Sequence, residues 1–347
     1  MQEFLCYDDV LLLPQYSDIR SRAEISLETD LTNNLILPVP IIGSPMDTVS
    51  EAPMAIALGI HGGTAIIHRY NTIEIQSRMV SLAHDVAKPL TGTGSIIVGA
   101  AIGVTGDYMA RALSLVEANA TFLCVDVAHG HHINMREALK NLRSEFGDDL
   151  HIMAGNVATL EGVNDLADWG ANSVRCNIGG GSICSTRVQT GHGVPGLHTL
   201  FECAKTDRDV AIIADGGIRN SGDAVKALAA GADAVMCGSL FAGTDETPGK
   251  IHEKPDGTRW KIYRGMASKE AQVQWRGRYS SYEGVSAHVP YRGSVKPLLE
   301  DFEKGLRSGL SYSGARNISE FCATAKFIRQ TSAGQQESGT HIKRRSV

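Results

Sequence analysis

No stretch of this sequence approaches the roughly 18 to 20 uncharged apolar residues that a bilayer-spanning helix needs, and its start, Met1-Gln2-Glu3, lacks the basic segment of a secretory signal. The expectation is a cytoplasmic protein without a membrane partner. There is no excess of positive charge either: 33 Lys and Arg stand against 38 Asp and Glu, a formal net charge of −5, which argues against the broad basic surface of a nucleic-acid binder. CxxC pairs and HExxH are absent, so the common zinc layouts are missing. The seven cysteines (Cys6, Cys124, Cys176, Cys184, Cys203, Cys237 and Cys322) are odd in number and widely spaced, and read as reduced thiols rather than a disulfide framework. With 43% hydrophobic and 20% charged residues, the signature of disorder is lacking too. At 347 residues the chain can bury a core as one large domain or two modest ones.

What is present is an alternation. Short apolar runs rich in β-branched residues recur, each closed by Gly, Asp, Asn or Ser and followed by a stretch of helical period. The predicted strands are Pro38–Met46, Gly63–Arg69, Ser95–Ala101, Thr121–Val127, Leu150–Asn156, Ser173–Ile178, Val210–Asp215 and Ala232–Gly238. The predicted helices between them are Glu51–Gly59, Thr72–Val86, Asp107–Ala118, Asn134–Phe146, Leu160–Trp169, Leu197–Lys205 and Gly222–Ala230. Ser50, Asn71, Thr159 and Ser221 stand where N-caps belong, and Gly147, Gly170 and Gly231 where helices end. Eight such units predict an α/β TIM (β/α)8 barrel, with a core over about 36–245, a polar, turn-rich flap region over about 250–292, and C-terminal helices and a tail over 293–347. The last helices are predicted near Val295–Arg307 and Ile318–Arg329, and the tail from Gln330, with Lys343-Arg344-Arg345, as a solvated segment. The runner-up is an open doubly wound sheet. Its glycine fingerprint is matched at Gly191–Gly196, but away from a strand and with Pro195 inside it.

In such a barrel function gathers where the strands end. The last two strands close in Asp215-Gly216-Gly217 and Cys237-Gly238-Ser239, the position of a phosphate site, where glycine lets backbone N–H groups approach an anion. Gly179-Gly180-Gly181-Ser182-Ile183-Cys184-Ser185-Thr186 is not a packing element, and Cys184, in a loop beside hydroxyls and Arg187, is the candidate nucleophile. Cys124, Cys176 and Cys237, inside apolar runs, read as inert. His129, His131 and His132 lack an acidic or Cys partner at ligand spacing, which argues against a metal there.

These residues resemble the IMP dehydrogenase / GMP reductase family, from Tyr7-Asp8-Asp9-Val10-Leu11-Leu12-Leu13-Pro14 to about Arg329. The most specific motif is Gly179 to Arg187, with Gly180 where Pro is usual and Ser185 where Thr is usual; Ser44–Val49, Ala154–Val157, Ala214–Arg219 with Ser221-Gly222-Asp223, and Tyr263-Arg264-Gly265-Met266 also match. The resemblance implies that the Cys184 thiolate adds to purine C2 and that a covalent thioimidate forms during hydride exchange with a nicotinamide cofactor. It implies a phosphate held by Ser182, Gly217, Gly238, Ser239 and Tyr263, ribose hydroxyls by Asp215, and a nucleoside lined by Ser44, Met46, Asn156, Met266 and Glu283. Gly216, Arg264 and Gly265 fall in the same nucleotide motifs. Asp126, with Val127 and Ala128, is implied to face the nicotinamide riboside, and the carbonyls of Gly179, Gly181 and Cys184 to coordinate a monovalent cation such as potassium. Ala267 replaces the usual Gly or Ser after the Met. Family members are tetramers, which implies a homotetramer.

Two activities share this chemistry: NAD-dependent oxidation of IMP to XMP, and NADPH-dependent reductive deamination of GMP to IMP. The pair of CBS modules usual in dehydrogenases has no room between Val86 and Gly94. The dehydrogenase pair Arg278-Tyr279 is present, but only Ser280, Ser281 and Tyr282 separate it from Glu283-Gly284, too few for the dehydrogenase flap. His68-Arg69-Tyr70 and the pairing of Thr186 with Glu283 resemble reductases, whereas Asp8–Pro14 and the segment Thr331 to Ser338 resemble dehydrogenases. The expectation is a GMP reductase using NADPH, with IMP dehydrogenase as the alternative. An idle nucleotide-binding barrel and a TIM-barrel enzyme acting on a phosphorylated sugar are the readings from other classes.

Overall fold

A parallel strand covered on both faces must be apolar along its whole length, and the eight predicted runs behave that way. In the computed structural model, which describes residues 3–91, 96–279 and 282–339, they form β4 (Ile41–Gly43), β5 (Thr64–Ile67), β6 (Val98–Ile102), β7 (Phe122–Asp126), β8 (His151–Val157), β9 (Ser173–Cys176), β10 (Ala211–Asp215) and β11 (Ala234–Cys237). Each pairs in parallel with the next, and β11 pairs with β4, so the sheet closes into the expected TIM barrel. Ser95, Ser280, Ser281 and the basic tail residues Lys343 to Arg345 lie outside the described residues.

Three short strands precede the barrel: β1 (Val10–Leu12), β2 (Thr29–Asp30) and β3 (Ile36–Leu37). The β2–β3 hairpin plugs the lumen where the strands begin. Its Thr32 hydroxyl donates to the Asn172 carbonyl ahead of β9 (2.8 Å), while Leu31, Leu35 and Leu37 pack with Phe122, Met153, Ile213 and Met236 inside the barrel. A larger apolar layer lies between the strands and the surrounding helices, α1 (Ala52–Ile60), α2 (Ile73–Thr91), α3 (Tyr108–Glu117), α4 (Ile133–Phe146), α5 (Leu160–Asp168), α6 (Thr186–Thr190), α7 (Gly196–Cys203) and α8 (Ser221–Ala229).

Of the predicted caps, Thr159 accepts from Gly162 N at 3.1 Å. The others move by one residue. Thr72 rather than Asn71 accepts from Ile75 N (3.3 Å), Asn220 rather than Ser221 accepts from Asp223 N (2.9 Å), and α1 starts after Glu51 without a side-chain cap. Gly147, Gly170 and Gly231 do take positive φ at the helix ends.

The segment beyond the barrel is more ordered than its polar composition suggested. β12 (His252–Glu253), β13 (Arg259–Arg264) and β14 (Ser286–Pro290) form an antiparallel sheet, with α9 (Lys269–Arg276) between the last two. The Lys261 side chain, 2% exposed, anchors β13 to the barrel by donating to the carbonyls of Thr244 (3.0 Å) and Thr247 (2.5 Å). After α10 (Lys296–Tyr312), the predicted second helix stops early: α11 covers Ile318–Thr324, and Phe327–Arg329 is a strand, β15, paired antiparallel with β1. Edge pairing there overrides a helical period too short to be decisive. Part of the predicted solvated tail is also helical, as α12 (Ser332–Glu337), whose cap Thr331 accepts from Gly334 N. Among the described residues no helix is long and apolar enough to cross a membrane.

Candidate active site

At the end of the barrel where the strands finish, a cavity of about 500 Å³ opens. Its wall includes Ser44 and Met46 after β4, Asp126 at the end of β7 with Val127 and Ala128 after it, Asn156 in β8, Gly179, Gly181, Ser182, Cys184 and Thr186 after β9, Asp215 at the end of β10 with Gly216 and Gly217 after it, and Gly238 and Ser239 after β11. The flap contributes Tyr263, Gly265, Met266, Ala267 and Glu283. The sequence thus scatters these groups over more than two-thirds of the chain, and barrel closure gathers them.

Cys184 is exposed at this mouth, unlike Cys124, Cys176 and Cys237, which are buried. Burial pushes the Cys124 thiol up to about 12 and the other two well above the ordinary thiol value, so none of the three is a thiolate at neutral pH. The Thr186 hydroxyl donates to Glu283 Oε2 at 2.7 Å, which leaves its oxygen facing Cys184 Sγ at 3.1 Å. The backbone enforces that meeting. Ser185 N donates to the Glu283 carbonyl (2.8 Å) and Val285 N to the Ile183 carbonyl (3.0 Å), so Cys184 sits opposite Gly284 in an antiparallel bridge, while Glu283 N reaches the Ala267 carbonyl (3.1 Å).

Across the cavity, Gly216 and Gly217 hold φ of 83° and 77°, a region that other residues rarely adopt, and form a tight turn. A Cβ on Gly238 would lie 2.8 Å from the Tyr263 hydroxyl and 3.0 Å from Met46 Sδ, so only glycine keeps this wall open. Burial raises the Tyr263 phenol to about 12; it therefore stays a proton donor, as an anion requires. Behind the turn, Tyr7 is buried, its ring edge 3.5 Å from where a Cβ on Gly217 would stand, and Lys226 Nζ donates to the Tyr7 carbonyl at 2.9 Å.

The sequence reading missed Arg175. It lies inside β9, 6% exposed, and bridges the two carboxylates of the mouth, donating to Asp126 Oδ1 (2.5 Å) and to Asp215 Oδ2 (2.8 Å from Nη2). Burial alone would lower its pKa, but Asp215 and Asp126 hold it well above the ordinary arginine value. Asn156 Nδ2 adds a donor to the same Asp215 oxygen at 2.7 Å. A lone cation in an otherwise apolar strand was the available signal. Arg69, which also lines the cavity, donates to the Asp126 carbonyl at 3.2 Å.

Three predicted site residues lie elsewhere. The Arg264 guanidinium turns away from the cavity and pairs with Asp47, with Nε to Oδ2 at 3.0 Å, tying the β4 loop to the flap sheet. Arg278 and Tyr279 are both exposed and outside the cavity wall, with Lys269 Nζ 4.7 Å over the Tyr279 ring. Two of the histidines after β7 are occupied structurally: His131 pairs with Asp165 (2.8 Å) and His132 Nδ1 accepts from Asn134 N (3.1 Å) at the start of α4. Among the described residues no group of three His, Cys, Asp or Glu side chains is placed to hold a metal.

The IMP dehydrogenase / GMP reductase domain model matches residues 4–341. The chain belongs to the IMP dehydrogenase / GMP reductase family. Within this family it is 34% identical to an inosine-5'-monophosphate dehydrogenase from Nitrosopumilus maritimus, covering 98% of both chains, and 33% identical to a GMP reductase from Leishmania major, covering 98% of this chain and 97% of that one. A crystal structure of a cysteine-to-alanine variant of Trypanosoma brucei GMP reductase, in complex with guanosine 5'-monophosphate, superposes with a TM-score of 0.92 at 32% identity, over 99% of this chain and 98% of that chain. As a member of the IMP dehydrogenase / GMP reductase family, the protein is a purine nucleotide oxidoreductase. The two alignments run over 470 and 481 positions, more than the 347 residues here, so a relative of each name carries residues with no counterpart in this chain. The missing insert therefore does not separate reductase from dehydrogenase.

Proposed function

We propose that the protein is a GMP reductase that converts GMP to IMP and ammonia with NADPH. The observation that carries this reading is the hydrogen-bonded chain from Cys184 Sγ through Thr186 Oγ1 to Glu283 Oε2, 3.1 and 2.7 Å long. Ammonia is expelled from purine C2 only if a proton reaches the leaving amino group; the proton that the Cys184 thiol gives up passes through Thr186 Oγ1 to Glu283, which holds it and delivers it to that nitrogen. The thiolate forms the S–C2 bond, the C2–N bond breaks with the protonated nitrogen leaving as ammonia, and hydride addition at C2 then expels the thiolate to give IMP. A reduced nicotinamide, when bound, would supply that hydride. Asp126, Val127 and Ala128 line the same cavity as Cys184 and fit that neighbour. The Gly216-Gly217 turn, Gly238, Ser239 and the Tyr263 hydroxyl fit the phosphate, and the Gly179, Gly181 and Cys184 carbonyls, all on one loop, are the groups that would hold a monovalent cation such as potassium. The position of Arg278-Tyr279 outside the cavity wall adds support, since hydrolysis of the thioimidate needs water activated inside it.

The test is to follow nicotinamide absorbance with GMP plus NADPH and, separately, with IMP plus NAD and potassium. Oxidation of NADPH with GMP is expected; NAD reduction with IMP alone would assign dehydrogenase activity instead. Glu283→Gln should slow GMP deamination far more than it weakens GMP binding, and equal losses would reduce Glu283 to a binding role.

A further inference from the structure

Three consecutive glycines, Gly179 to Gly181, carry the reactive thiol, although glycine restricts its own backbone least. Gly179 uses that freedom, with φ at 81°, but Gly180 is not among the residues of positive φ. Space, not backbone conformation, keeps position 180 a glycine. A Cβ there would lie 2.2 Å from Asn177 Nδ2 and 2.6 Å from its Oδ1. The Asn177 amide is not free to swing aside. It is 5% exposed, and its Nδ2 donates to the Asp215 carbonyl at 2.9 Å, which also fixes which end of the amide is nitrogen. Its main chain is held on both sides, N–H to the Val157 carbonyl (2.9 Å) and C=O from Asn156 Nδ2 (3.0 Å). Asn177 Oδ1 is buried without a partner, a cost to stability that calls for a role other than stabilisation. The Gly180 carbonyl in turn lies 3.4 Å from where a Cβ on Gly217 would stand, so the glycine run is seated between the Asn177 amide and the anion turn.

We propose that Asn177 and Gly180 form a matched latch that places the Cys184 thiol: the Asn177 amide, tied to the Asp215 carbonyl, fills the space a side chain at 180 would need and so fixes the glycine run. Asn177 is a positioning residue acting through the loop, and the inference rests on Cys184 being the reacting atom. Asn177→Ala empties the space, Asn177→Asp keeps its volume but removes the donor, and Gly180→Ala drives the amide off Asp215. Each single variant should lower kcat for GMP about 10- to 100-fold, as expected for a misplaced nucleophile, with little change in KM. The double variant Asn177→Ala with Gly180→Ala should fall within about threefold of the worse single one, because both changes break the same latch. Multiplying losses in the double variant, or an unchanged kcat in Asn177→Asp, would overturn the proposal.

A second readout needs no nucleotide: the rate of Cys184 alkylation by iodoacetamide at one fixed pH, followed by peptide mass spectrometry with the exposed Cys322 as internal reference. The Cys184 rate relative to that of Cys322 should change in every single variant; an unchanged ratio would overturn the latch. Should the unaltered protein fail to turn over GMP, the reductase reading falls and this arm still decides the latch.

Discussion

The two ends of the barrel lumen are built from the same strands and have opposite chemistry. Near the floor, Phe122, Met153, Ile213 and Met236 pack against Leu31, Leu35 and Leu37 of the plugging hairpin. At the mouth, the last residues of β7 and β10 are Asp126 and Asp215, bound to one buried arginine. The change takes place within single strands: the first four residues of β7 and of β10 are buried, and only the terminal aspartate is partly open. Stability and chemistry are thereby separated along the barrel axis, and a change at one end need not disturb the other.

That separation can be broken at either end. The largest effect belongs to the mouth: Cys184→Ala should lower turnover on the order of 10⁴-fold or more, with the melting temperature and GMP binding retained, as steady-state rates and calorimetry would show. Appreciable residual turnover would refute the covalent step. Arg175→Met should affect both properties, because it leaves Asp126 and Asp215 without their shared cation; about 3–5 kcal/mol of stability should be lost in denaturant melts, together with nucleotide binding. If only one of the two is lost, the strut is less central than its geometry indicates. Phe122→Ala, at the floor, should cost about 3 kcal/mol of stability while kcat in the folded fraction stays the same.

The smallest effect is one of pH. His151, at the start of β8, is 3% exposed, and burial lowers its pKa from 6.5 to about 4. The unfolded chain therefore binds the proton first, so the stability due to neutral His151 is complete above about 6.5 and lost as pH falls toward 4. His151→Gln should flatten the dependence of melting temperature on pH between those limits, by about 2 kcal/mol in stability, without altering the pH profile of turnover.

The barrel was legible because strands covered on both faces leave unbroken apolar runs, and its mouth because the polar residues following those runs fall at one end. The antiparallel parts were not. β14, Ser-Ala-His-Val-Pro, alternates between exposed and half-buried positions, so its pattern is that of a polar turn region, and β15 is three residues separated from a helix by only two. Cys184, Thr186 and Glu283 could be grouped from the resemblance, and they do meet. Arg278 and Tyr279, close to Glu283 in sequence, do not join them and are exposed outside the cavity wall. Arg175 leaves only a faint local trace, one cation in a buried strand, and Asn177 none, because the importance of both comes from what a neighbouring strand brings to them.

The seam between β1 and β15 has a consequence of its own. Val10 pairs with Arg329, and just before that seam Tyr7 stands behind the Gly217 turn. Fraying around residue 328 would loosen the backing of the turn proposed to hold the phosphate, and by thermodynamic linkage a phosphate seated there would resist the fraying to the same degree. On the proposed placement of the phosphate, nucleotide occupancy and resistance to proteolytic trimming at this remote seam are two readings of one equilibrium.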